Sequence, residues 1–177
     1  MDAKRRLQDI EEDEVELGHC ASFGSADALL LGNKIIKVSR NREFRGDGSE
    51  IGIAVRIVRE SDQTPLFQYF ADDKDLTYAT YLDGKRLATL ATGHSSAWVE
   101  IDHKIRGTWD AMFDKNSPEL PGAGCFPLYA GDTIAATVTV SGLHEGRDHL
   151  VITEALRSIR LSAGTDSANR RFTSCDN

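Results

Sequence analysis

The hydrophobic pattern of the chain changes period several times. Between Ala28 and Val38 apolar residues recur three and four apart behind a Ser25 and Asp27 start signal, which predicts a helix over Ser25 to Arg42. Gly46-Asp47-Gly48-Ser49 is a turn cluster, after which Ile51, Ile53, Val55 and Ile57 alternate with Gly52, Ala54, Arg56 and Val58. Period two marks a strand. Ser61 to Pro65 supplies turn chemistry before Leu66-Phe67-Gln68-Tyr69-Phe70, so a second strand closes a hairpin. From Asp73 to Ala91 near-helical spacing returns through Leu76, Ala79, Tyr81, Leu82, Leu87 and Leu90, and Gly93 fits a helix stop. Trp98, Ile101 and Ile105 share one face of a further helix with a serine cap, although the β-prone Trp98-Val99 pair leaves a strand as the alternative.

Arg106 to Pro121 is polar and interrupted by Pro118 and Pro121, which predicts a loop with one helical turn around Trp109. Cys125 to Tyr129 and Thr133 to Val140 flank the turn Ala130-Gly131-Asp132 and read as an antiparallel pair. Leu150, Val151, Ala155, Leu156 and Ile159 then predict a last helix from Arg147 or Asp148 to Leu161. Asp148 near its start and Arg157 and Arg160 near its end suit the helix dipole. The turns within each strand pair are too short for parallel crossovers, so the order implies an α+β fold, a small, mostly antiparallel sheet flanked by helices. The expected organisation is a mobile or helical arm over 1–24, one domain over 25–161 and a flexible tail over 162–177.

Composition narrows the function classes. A chain of 177 residues has room for one core, and 40% hydrophobic with 28% charged residues is ordinary globular composition. A net charge of −7 argues against nucleic acid as a partner, because backbone phosphates are bound by clustered Lys and Arg. No apolar run approaches the ~20 residues of a membrane span. The start, with Lys4-Arg5-Arg6 and Glu11-Glu12-Asp13-Glu14, lacks a hydrophobic signal segment, so the expectation is a cytoplasmic protein with no membrane partner. Cys20, Cys125 and Cys175 form no paired motif, and Cys125 in Gly124-Cys125-Phe126-Pro127 reads as a small buried hydrophobe.

Candidate chemistry rests on His94 with Ser95 and Ser96, where an imidazole beside two hydroxyls suits a general base, a ligand or an anion clamp. The plainer role is that a serine caps the next helix. Asp148 and His149 put a carboxylate beside an imidazole at the start of the last helix, with capping as the plainer role of Asp148 and pocket lining as a role for His149. His94 and His149 are the candidate catalytic pair, and Arg86, Ser95, Ser96 and Asp148 the candidate ligand contacts. Lys85 and Arg86 suit a carboxylate-bearing ligand, although cations on a helix usually form a solvated face, a reading that applies more to Lys85 than to Arg86. His103 and His144 add no diagnostic metal spacing, so a metal is left unknown. There is no nucleophile elbow, phosphate loop or dinucleotide fingerprint.

Several short motifs in order resemble one family. They are Pro65-Leu66-Phe67-Gln68-Tyr69, Lys85-Arg86, Gly93-His94-Ser95-Ser96, Gly122 to Leu128, Val138 to Leu143, and Asp148-His149-Leu150-Val151. Together, from about Ser25 to Ile159, they are similar to the heme-degrading-domain (heme-binding protein S-like) family. The resemblance implies a profilin-like α+β fold, a homo-oligomer, and heme as a cofactor or ligand. A similar fungal branch is linked to tail-anchored protein delivery. Three functions follow as expectations: a binding protein for a heme-like or carboxylate-bearing small molecule, a small-molecule enzyme of the isomerase, lyase or decarboxylase type with a His-based acid/base pocket, and an oligomeric cochaperone-like factor. The Gly122-Ala123-Gly124 split, Cys125 and the Leu143-His144-Glu145-Gly146 loop depart from the family pattern at positions that set ligand choice.

Overall fold

A computed structural model of the protein describes residues 2–45, 52–109, 122–143 and 146–165. Its helices are α1 (Ala3–Leu17), α2 (Ser25–Ser39), α3 (Arg42–Arg45), α4 (Thr77–Thr92), α5 (Ser96–Arg106) and α6 (Arg147–Thr165). Its strands are β1 (Ala54–Arg59), β2 (Thr64–Phe70), β3 (Cys125–Ala130) and β4 (Thr133–Ser141), forming one antiparallel sheet in the order β2-β1-β4-β3. The two predicted hairpins are thus joined through β1 and β4, whose register pairs Val55 with Val140 and Ile57 with Val138.

The sheet has two unlike faces, because side chains alternate along each strand. Val55, Ile57, Phe126, Leu128, Ala136, Val138 and Val140 point to one face. There they join Leu31 and Ile35 of α2 and Val151, Ile152 and Leu156 of α6 in the main apolar core. The opposite face, under α4, is polar: Arg56 meets Asp83, and Thr137 donates to Glu60. Burial on both sides explains why β1 is nearly continuous in buried residues rather than half-exposed.

Most predicted boundaries hold locally. Gly93 ends α4 at φ 76, in the left-handed region that favours glycine, and the side chain of Ser95 caps α5 by accepting from the Trp98 N–H. The strand alternative for Trp98-Val99 is therefore overturned. The helix expected to run to Arg42 stops at Ser39, and α3 follows as a separate turn. Most of the loop expected over Arg106 to Pro121, and residues 166–177 of the expected tail, lie outside the described residues.

Helix α4 departs furthest from expectation. Of the residues read as its apolar positions, Leu76, Tyr81 and Leu87 are exposed and Leu82 is buried, together with Lys85, Ala88 and Thr89, against the polar face of the sheet. Helix α1 packs on α5 through Ile10, Ala97 and Ile101, a small apolar cluster apart from the main core.

Candidate functional site

Lys85 is 6% exposed, which corrects its reading as part of a solvated face. Its Nζ donates to Val140 O at 3.0 Å, Ser141 Oγ at 3.3 Å and Asp148 Oδ2 at 2.8 Å. All three ammonium protons are therefore engaged. Asp148 also accepts from the Leu143 N–H at 2.9 Å, so its carboxylate staples the end of β4 to α4, in place of the expected capping role. Burial is the largest influence on the Asp148 carboxyl and raises its pKa, opposed by Lys85 and the neighbouring backbone N–H groups. Gly124, at φ 131, lets this junction close: a Cβ there would lie 2.4 Å from Val140 O and 2.9 Å from Lys85 Nζ.

Arg86 turns the other way, onto Glu60, with Nε 2.9 Å from Oε1 and a second contact from Nη2 to Oε2. Hydrogen bonding to Glu60 holds the guanidinium firmly protonated. Cys125 lies beside this pair and is fully buried, and burial pushes its thiol up to about 11. A thiol there is inert at neutral pH.

His94, Ser95 and Ser96 are occupied by the fold. His94 stacks on Trp98 with ring centroids 4.2 Å apart, and its Nδ1 lies 2.7 Å from Glu14 Oε2. A carboxylate only accepts, so Nδ1 carries the proton. The Ser95 N–H donates to Glu14 Oε1 at 2.7 Å, and Trp98 Nε1 donates to Glu11 at 2.9 Å, which docks α1 on the α4–α5 junction. Ser96 Oγ donates to Gly122 O at 2.8 Å and accepts from the Cys125 N–H at 2.9 Å, tying the His-Ser-Ser motif to the Gly-Ala-Gly-Cys motif.

His149 has a different situation. It is 4% exposed, tilted against Phe126, and neither ring nitrogen has a hydrogen-bond partner among the described residues. Burial, reinforced by Arg157 and Arg6, pushes its pKa down to about 4, so the imidazole is neutral at physiological pH. It lines a recess of about 320 Å³ between α1, α5 and the start of α6, whose walls include Arg6, Ile10, Ala97, Ile101 and Leu150. A more polar cleft of about 550 Å³ adjoins it, sharing Glu100, Ala123 and Gly146 and reaching Lys85, Asp148 and Ser141. The structure thus brings His149 and Asp148 to neighbouring spaces. His94, Arg86, Ser95 and Ser96 line neither of these two.

Sequence reasoning set Lys85 aside as a solvated cation and did not single out Glu14, Glu60 or Arg6. Only Lys85 carried a usable signal: it falls three residues from Leu82 and Ala88 and four from Thr89, on the face that is buried. Among the described residues no cluster of three or more His, Cys, Asp or Glu side chains suits a metal ion, and no helix is long and apolar enough to cross a membrane.

The family model "Haem degrading protein HbpS-like" matches residues 23–157, including every motif wired together around Lys85, Ser96 and Asp148. The chain belongs to the HbpS-like family. Among curated relatives, the UPF0303 protein of Streptomyces coelicolor is 28% identical over 153 residues, covering 85% of this chain and 90% of the relative. That of Psychromonas ingrahamii is 28% identical over 162 residues, 90% and 96% of the two chains. Among solved structures, the Ybr137w protein superposes with a TM-score of 0.73 at 21% identity, covering 89% of this chain and 88% of the other. The PduOC:heme complex gives 0.60 at 13%, covering 77% and 94%, and HbpS gives 0.56 at 14%, covering 78% and 89%. At these identities the likeness establishes a common fold. Helix α1, which forms one wall of the recess, lies before the span matched by the HbpS-like model.

Proposed function

We propose that this HbpS-like protein binds a small organic molecule in the recess at His149. The observation that carries this reading is the imidazole itself, buried, neutral and, among the described residues, without a hydrogen-bond partner on either nitrogen, at the wall of a largely apolar space. Buried polar groups in native proteins are otherwise paired, and an unmet one in a cavity is where a ligand or a bound water belongs. Membership of a haem-degrading family and the fold shared with the PduOC:heme complex make heme the first ligand to consider. The residues present suit part of it: an apolar wall for a ring edge and Arg6 for a carboxylate. Both nitrogens of His149 are covered and the recess is at the small end of organic ligand sites, so an iron-ligated heme does not fit the recess as it stands.

Acid/base catalysis by His94 and His149 together gains no support from the geometry, since His94 is engaged by Glu14 and Trp98 and does not line the recess. The test is to purify the protein without denaturation, release bound small molecules and identify them by mass spectrometry, beside an Ala97→Leu variant that fills the recess. A small organic molecule carried by the wild type and lost from the variant is expected. Equal content in both, or a saturable Soret shift on hemin titration that is the same in both, would contradict the assignment to this recess.

A further inference from the structure

We propose that the open edge of the sheet at β2 is an interface between two copies of this chain, which pair strand to strand about a twofold axis and merge their sheets. The two edges of the sheet are unlike. Beside β3 the chain leaving α1 lies along the strand: the Tyr129 N–H donates to Gly18 O at 2.7 Å and the Cys20 N–H to Tyr129 O at 2.8 Å. At the other end β2 closes the sheet, and among the described residues no backbone group pairs with its outer side. The Ala71 N–H donates to Ile53 O at 3.0 Å, so Tyr69 also turns its N–H and C=O toward β1, and Gln68 and Phe70 turn theirs outward. Such an edge is a template for another strand unless charge, proline or a bulge blunts it. In β2 these devices stand only at the start, as Pro65 and the irregularity opposite Ile57 and Val58. Leu66-Phe67-Gln68-Tyr69-Phe70 carries no charge.

Helix α2 continues this surface. Gly32 lies on the Phe67 ring, where an added Cβ would be 2.5 Å away. Leu29 and Ile36 stand one turn before and after Gly32, on the side away from the buried Leu31 and Val38. Because α6 lies over β4 and β3 and packs on α2 from there, the flank with Leu29 and Ile36 faces the β2 edge. Leu29 is 57% exposed there, beside the partly buried Phe67 and Tyr69. A second copy is the occupant that fits. The outward groups of Gln68 in one copy meet those of Phe70 in a copy running the other way, and the reverse, so the edge is its own complement about an axis at Tyr69. The net charge of −7 opposes association over the surface at large, whereas this stretch sets no charge against its like. The same axis brings the apolar flanks of the two α2 helices together and takes Leu29 out of water.

The test is light scattering coupled to size-exclusion chromatography of the full-length protein, with backbone hydrogen exchange at the same concentration. The wild type should run at twice the 19.5 kDa of one chain or an even multiple of it. Leu29→Glu changes an exposed side chain and Gln68→Pro removes an N–H that points away from β1, so both should keep the circular dichroism of the wild type while halving its mass. The Gln68 and Phe70 amides should exchange at least about tenfold more slowly in the wild type than in Leu29→Glu, with the Tyr69 amide equally protected in both. A wild-type mass of one chain, a mass that neither folded variant lowers, or unprotected Gln68 and Phe70 amides in the wild type would overturn the proposal. So would a monomeric wild type whose β2 edge pairs with a different protein.

Discussion

Asp148 and His149 are consecutive residues at the start of the same helix, both are buried, and they stand in opposite conditions. Asp148 meets Lys85 and the Leu143 N–H, and Lys85 in turn donates to Val140 and Ser141. His149 has no hydrogen-bond partner among the described residues and lines the recess. Adjacent residues on a helix point about 100° apart, so one turn of backbone serves two purposes. The first side chain closes the joint between α4, β4 and α6. The second is held in place by that joint at the wall of the recess where we propose that a ligand binds.

The largest effect should come from breaking the completed side. Lys85→Met leaves the Asp148 carboxylate buried without its counter-ion, and such losses cost about 3–5 kcal/mol. Chemical denaturation should register a drop of that size, and adding Asp148→Leu to Lys85→Met should recover part of it. If Lys85→Met alone unfolds like the wild type, the joint is not what holds these three elements.

The unsatisfied side should show itself in pH dependence. His149 has a pKa near 4 in the folded protein against 6.5 for an unperturbed histidine, so below about pH 6.5 the unfolded chain takes up a proton that the folded chain refuses. Stability therefore falls as pH is lowered from about 6.5 to about 4, by about 3 kcal/mol for this one group. His149→Phe should flatten the stability profile in that window. An unchanged slope would mean that the imidazole is not held neutral by its surroundings.

Smaller effects sharpen the role of α1 as the outer wall. Glu14→Gln weakens the contacts to His94 and the Ser95 N–H and should cost about 1–2 kcal/mol by thermal unfolding, in line with hydrogen bonds to a charged group. Ser95→Ala removes the cap of α5 and should cost about 1 kcal/mol. A Glu14→Gln variant as stable as the wild type would show that α1 is docked by Ile10 and its apolar neighbours alone.

Features that depend on neighbours in sequence were legible before the structure. Alternation located β1, turn signals and β-prone runs located β3 and β4, the helix stop at Gly93 followed from glycine chemistry, and Ser95 was readable as a cap because the hydroxyl acts within three residues. What could not be read depends on which face of an element is covered. The apolar spacing in α4 runs through Leu76, Tyr81 and Leu87, which are exposed, because the sheet face beneath it carries Glu60, Thr137 and Thr139 and takes Lys85 and Arg86 instead. His149 was legible as a pocket residue, and Arg6 was not. Its meeting with the start of α6 is made by folding, between segments at opposite ends of the chain.

The most direct test of the ligand site is ¹⁵N NMR of the histidine rings in the full-length protein at pH 6, in the wild type and in the Ala97→Leu variant that fills the recess. The wild type should show His149 as a neutral imidazole, and filling the recess should shift its ring signals while those of His94 and His103 stay in place. A His149 signal that is protonated in the wild type, or that does not respond when the recess is filled, would contradict the account.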